Sequence, residues 1–126
     1  MQSLLFSFQG RINRAKWWLI NIITSVIYSI VTGALVGSAA MQADPAAAME
    51  SAGPVVGLIL LALTILIVWI GLAVAAKRWH DRGKSAWWIL IAFVPVIGGL
   101  WYLIECGFLR GTTGPNRFGP DPLASL

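Results

Sequence analysis

The sequence predicts an all-α, polytopic membrane protein. It would have three transmembrane helices, the third kinked at Pro95, a short interfacial segment ahead of them and an irregular Gly/Pro-rich tail behind. Three observations predict this. The 126 residues are 58% hydrophobic and 11% charged, a balance far from that of soluble domains, and a soluble globule this small keeps too much surface in water to hide so much apolar area. The apolar residues gather in three runs, 17–40, 55–76 and 87–109, of 24, 22 and 23 residues. The nine Lys and Arg residues stand in short clusters beside those runs, as positive-inside topology requires. A nucleic-acid surface would spread them along the chain, so no nucleic-acid partner is expected.

Taken in order, residues 1–16 are an amphipathic lead too short to span. Arg11 and Arg14 would share a helix face, Leu4, Leu5, Phe6 and Phe8 would touch lipid, and Gly10 would turn the chain. Residues 17–40 carry no charge and give about 36 Å of helix, enough to cross a hydrocarbon core of about 30 Å. The run exceeds the apolar length of a signal peptide and is read as an anchor. Residues 41–54 hold Asp44 and Glu50 and no cation, which places this loop on the far, periplasmic side. Residues 55–76 form the second span, and 77–86 a cytoplasmic basic loop whose cations and tryptophans suit the membrane rim.

Residues 87–109 form the third span, with a proline kink that neighbouring helices tolerate. A rival geometry is a re-entrant hairpin returning Arg110 and Arg117 to the cytoplasm, so that nine cations and not seven share one side. Each half would then be too short to cross, which favours the single kinked span. On that span Glu105, 18 residues beyond Trp87, lies about 27 Å along the axis, near the opposite interface. Residues 110–126 cannot continue a helix and read as turns.

The candidate functional residues are few. His80, the only histidine, has no second histidine and only the distant Cys106 beside it. A zinc site needs three or four ligands, so a solvated loop histidine is the expectation, with no metal, no cofactor and no catalytic residue. Cys106, the single cysteine, excludes an intramolecular disulfide and is expected as inert packing. Arg11, Arg14, Lys16, Lys77, Arg78, Arg82 and Lys84 form a basic collar that would fix topology or meet anionic lipid headgroups. Gly33-x-x-x-Gly37 and Gly71-x-x-x-Ala75 are small-residue faces that let helices approach closely.

Two patterns carry a resemblance. One is R-x-H-D-x-G-x-S-x-W-W, formed by Arg78, His80, Asp81, Gly83, Ser85, Trp87 and Trp88. The other closes the chain from Gly114 to Pro122 and contains Asn116, Arg117, Gly119, Pro120, Asp121 and Pro122. With GRINRAKWW near the start and VPVIGG in the third run, the chain resembles the small bacterial inner-membrane proteins of domain of unknown function family 805. The resemblance implies a multi-pass helical protein of the bacterial inner membrane; it supplies no activity and no catalytic residues.

The expected function is that of a non-enzymatic structural or accessory subunit, amino end in the cytoplasm, packed in the lipid bilayer against another membrane protein or a second copy of itself. A small transporter or ion-coupled carrier is the alternative. It is disfavoured because only Glu105 is acidic within an apolar run and no inverted repeat is evident. Binding of anionic lipid by the collar is a further alternative.

Overall fold

The computed structural model describes residues 2–41 and 43–124. The elements are α1 (Gln2–Leu5), α2 (Arg14–Ala40), α3 (Pro45–Asp81), a 3-10 helix (Ala86–Phe93), α4 (Ile97–Leu103) and a π-helical turn (Ile104–Phe108). They fall into two compact units, Met1–Asn21 with Trp69–Leu126, and Ile22–Val68.

The two long helices begin where local chemistry starts them. The Asn13 side chain accepts the Lys16 N–H at 2.8 Å and caps α2, leaving Arg11 outside the helix and off the face of Arg14. Asp44 accepts the Ala47 N–H at 3.2 Å, and Pro45 takes the first helical position, where its missing N–H costs nothing. The alanine-rich stretch 45–54, expected within a loop, is therefore the first part of α3. At its other end α3 runs on through the expected basic loop to Asp81. It stops in a Schellman turn: Gly83 N–H bonds to the His80 carbonyl and Lys84 N–H to that of Trp79, both at 2.9 Å, with Gly83 at φ +78°.

In the Ile22–Val68 unit, the two helix segments are tied by a hydrogen bond between Tyr28 Oη and Thr64 Oγ1 at 3.1 Å. Their large apolar side chains, among them Ile22, Val26, Ile30, Leu58, Leu61 and Ile65, are exposed. Among the described residues, α2 and α3 are the two helices long and apolar enough to cross a membrane, each only 6% buried over its most apolar stretch.

The other unit holds the core, built from Ile12, Trp17, Ile20, Ile70, Val74, Trp79 and Cys106. Cys106 is a fully buried free thiol, as expected. Gly10 turns the lead at φ +96°, also as expected.

The third apolar run departs from the expected kinked span. Pro95 ends a helix and does not bend one. Val94 before it is extended (φ −73°, ψ 122°), as the proline ring demands, and Val96 after it sits at φ +63°. The chain then doubles back so closely that a Cβ at Gly98 would strike the Ile91 carbonyl. The indoles of Trp88 and Trp101 lie 6.1 Å apart, and Lys84 bonds to Glu105. A continuous helix would hold residues 21 positions apart about 32 Å from each other. Glu105 thus lies beside the basic turn and not at the far end of a span, and the run takes the shape of the re-entrant hairpin.

Candidate functional site

Between Gly111 and Ala124 the tail has neither helix nor ladder, apart from one two-residue bridge in which Asn116 and Gly119 exchange both backbone hydrogen bonds at 3.1 Å. Its carbonyls must find donors elsewhere. Guanidinium groups supply them. Arg11 donates from Nη1 to the carbonyls of Gly114 (2.8 Å) and Gly119 (3.2 Å), from Nη2 to that of Thr112 (2.6 Å), and from Nε to Asp81 Oδ1 (3.1 Å). Arg78 donates from Nε to the Cys106 carbonyl at 2.6 Å, to the Leu109 carbonyl and to Asp81 Oδ2. Arg82 reaches the Arg110 carbonyl. Only arginine offers five donors in a planar fork that can serve several acceptors at once.

Asp81 is the hub. Its carboxylate lies between Arg11 and Arg78, and the side chains of all three are almost wholly shielded, at 3%, 1% and 0% exposure. Its backbone carbonyl accepts the Thr112 N–H at 2.6 Å. A Cβ at Gly111 would run into the Asp81 carboxylate, so the closeness of tail and helix end depends on that glycine. Charge-assisted bonds of this kind are the strong ones. A buried ion pair that loses one member leaves an uncompensated charge in place of the pair.

The rest of the tail is fastened by its own polar groups. Asn116 donates from Nδ2 to the His80 carbonyl and accepts the Phe118 N–H, both at 2.9 Å. Asp121 accepts the N–H groups of Gly114 and Leu123 at 2.9 Å. These two bonds, Leu123 foremost, hold its carboxyl below the usual carboxylate range. The Phe118 ring stacks on His80 at 4.0 Å and 5°, and the Arg117 guanidinium lies 4.6 Å from the centre of the Phe118 ring. His80 Nδ1 is 3.0 Å from the Gly10 carbonyl. His80 is buried, at 8% exposure, where a solvated ring was expected.

A second cluster closes the hairpin. Glu105 receives Lys84 Nζ, Arg82 Nε at 3.5 Å and the Trp101 indole N–H at 2.6 Å, and Lys84 also lies 4.6 Å from the Trp88 ring.

The motif residues are therefore drawn together: Arg78, His80, Asp81 and Gly83 shape the end of α3, and Asn116, Gly119 and Asp121 the tail that docks on it. Ser85 opens the 3-10 helix through its carbonyl, which accepts the Trp88 N–H at 3.1 Å, while Trp87 stands exposed. Pro120 and Pro122 border Asp121 in the same turn. The basic collar divides. Arg11, Lys77 and Arg78 are enclosed, with Lys77 donating to the Leu4 carbonyl; Arg82 and Lys84 are half-buried on Glu105; Arg14 and Lys16 are exposed. Of the small residues, Ala75 is buried, whereas an added Cβ at Gly33, Gly37 or Gly71 would meet nothing within 4 Å. Arg11 as the partner of Asp81 was missed. Its signal was a lone acid among four cations, facing a tail without regular structure.

Two long apolar helices joined to a basic, arginine-clasped end make up a helical protein suited to a membrane. The chain belongs to the family described as "Protein of unknown function (DUF805)", whose model matches residues 5–120. It is similar to inner membrane protein YhaH of Escherichia coli strain K12, 36% identical over 91% of this chain and 86% of that one. It is also similar to inner membrane protein YhaI of the same strain, 33% identical over 91% and 85%, and to its uncharacterized protein YiiR, 30% identical over 96% and 89%. No solved structure matches.

Proposed function

We propose that the protein is a non-enzymatic accessory subunit of the inner membrane that packs through its two long helices against another membrane protein or a second copy of itself. One observation carries this. Between Ile22 and Val68, α2 and α3 leave large apolar side chains exposed and Gly33 and Gly37 open, while Arg11 and the motif acids Asp81 and Asp121 are occupied in holding the chain's own tail. Gly33 and Gly37 leave room for a neighbouring backbone. In the bilayer α2 and α3 cross, residues 87–109 enter and return, and the amino end, the basic turn and the tail share the cytoplasmic side. The finding that supports this topology is that all nine cations belong to one unit, and the acids Asp44 and Glu50 to the other.

Blue-native electrophoresis after extraction in mild detergent tests the packing. A species above monomer mass is expected, reduced by Gly33→Leu with Gly37→Leu, which fill the open face. A single species of monomer mass overturns the proposal.

A further inference from the structure

In the unit that holds the tail, a groove of about 720 Å³ opens between the lead and the end of α3. Arg11, Lys16 and Lys77 line it together with Ser7 and Gln9, and no acid does. The clasp pairs Arg11 with Asp81 but leaves the two lysines uncompensated. Asp81 already lies between two arginines, and Arg11 directs its donors to Asp81 and three tail carbonyls. Lys16 and Lys77 enter none of the ion pairs among the described residues. Lys77 is the telling case: it is 2% exposed and bonds to the Leu4 carbonyl, leaving two of its three hydrogens to give. An enclosed ammonium without a counter-charge is unfavourable, and an anion entering the groove relieves it. Ser7 Oγ accepts the Gln9 N–H at 3.1 Å, which frees its own hydroxyl proton to donate. The rest of the side-chain lining, Leu4, Ile12 and Phe118, is apolar.

From this juxtaposition we infer that the groove is a binding site for a phosphate ester, its phosphate held by Lys77, Lys16 and Ser7 and its organic part lying on Leu4, Ile12 and Phe118. The volume far exceeds that of a bare phosphate, and lysine binds phosphate as a point charge. The same chemistry is offered by a phospholipid headgroup and by a soluble phosphate ester.

The full chain, purified in the phosphate-free detergent dodecyl maltoside, is titrated by calorimetry with dihexanoyl-phosphatidylglycerol in one arm and glycerol 3-phosphate in the other; dihexanoylglycerol, which lacks the phosphate, serves as the blank. Saturable binding in the first arm alone identifies a lipid headgroup, and saturable binding in the second a soluble ester; either supports the site. Lys16→Gln, an exposed change that leaves the core alone, should weaken that binding by about tenfold, and Lys77→Gln by more. Arg110→Gln removes an equal charge away from the groove and should leave binding as it was. No saturable binding in either arm overturns the site. So does binding that Lys16→Gln leaves intact, that Arg110→Gln weakens equally, or that dihexanoylglycerol reproduces.

Discussion

Replacing Asp81 with Asn keeps the shape of the hub and removes its charge. Arg11 and Arg78 then remain enclosed, at 1% and 0% side-chain exposure, with neutral carbonyls as partners. Breaking one member of a buried ion network costs about 3–5 kcal/mol, and here a single carboxylate serves two guanidiniums, so the upper part of that range applies. In a chain of 126 residues this lowers the unfolding midpoint by on the order of 10 °C. Tryptophan fluorescence in detergent follows the transition, because Trp17 and Trp79 are buried in the same unit. Trypsin reports on the tail by cutting after Arg110 and Arg117, and cleavage should accelerate in the variant. Arg78→Lys separates charge from geometry: an ammonium keeps the ion pair with Asp81 but loses the fork that reaches the Cys106 and Leu109 carbonyls together. It should cost about 1–3 kcal/mol, less than Asp81→Asn. An unfolding free energy for Asp81→Asn within about 1 kcal/mol of the parent, with unchanged tail cleavage, would refute the clasp.

Two further outcomes follow from the same contacts. Gly111→Ala sets a methyl against the Asp81 carboxylate and should destabilise the tail by about 1–3 kcal/mol, seen as faster tryptic cleavage at Arg117, whereas Gly99→Ala, with open space around it, should leave cleavage unchanged. Asp121 has its carboxyl held below the ordinary range by the N–H groups of Leu123 and Gly114. Its contribution to the tail turn is complete above the ordinary carboxylate value and disappears as pH falls through the lowered one. The Gly114 and Leu123 amide resonances should therefore move together on acidification, and Asp121→Asn should abolish that shared titration.

Much of the architecture was legible in the chain itself. Runs 17–40 and 55–76 are uncharged and long, so helices of spanning length follow from composition alone, and Gly10 and the tail read as turns because no other backbone suits their residues. α3 runs past the expected span 55–76 at both ends because Ala, Lys and Arg are good helix formers whichever side of an interface they occupy. Asp44-Pro45 and Gly83 marked its true ends. The third run departs from expectation for a different reason. Pro95 and Gly98-Gly99 are compatible with a kink or a reversal, and the choice rests on contacts between residues far apart in sequence.

What the sequence by itself determined is the class of protein: the apolar runs, the clustered cations and the two motifs place it among helical membrane proteins of its family. Only the tertiary structure decided what the motifs do. Carbonyls that regular structure leaves unpaired must be satisfied wherever the fold puts them, and it puts those of Thr112, Gly114 and Gly119 against Arg11, about a hundred residues away along the chain. It likewise brings Glu105 back to Lys84, because a hairpin that closes on a salt bridge needs both its ends at one place.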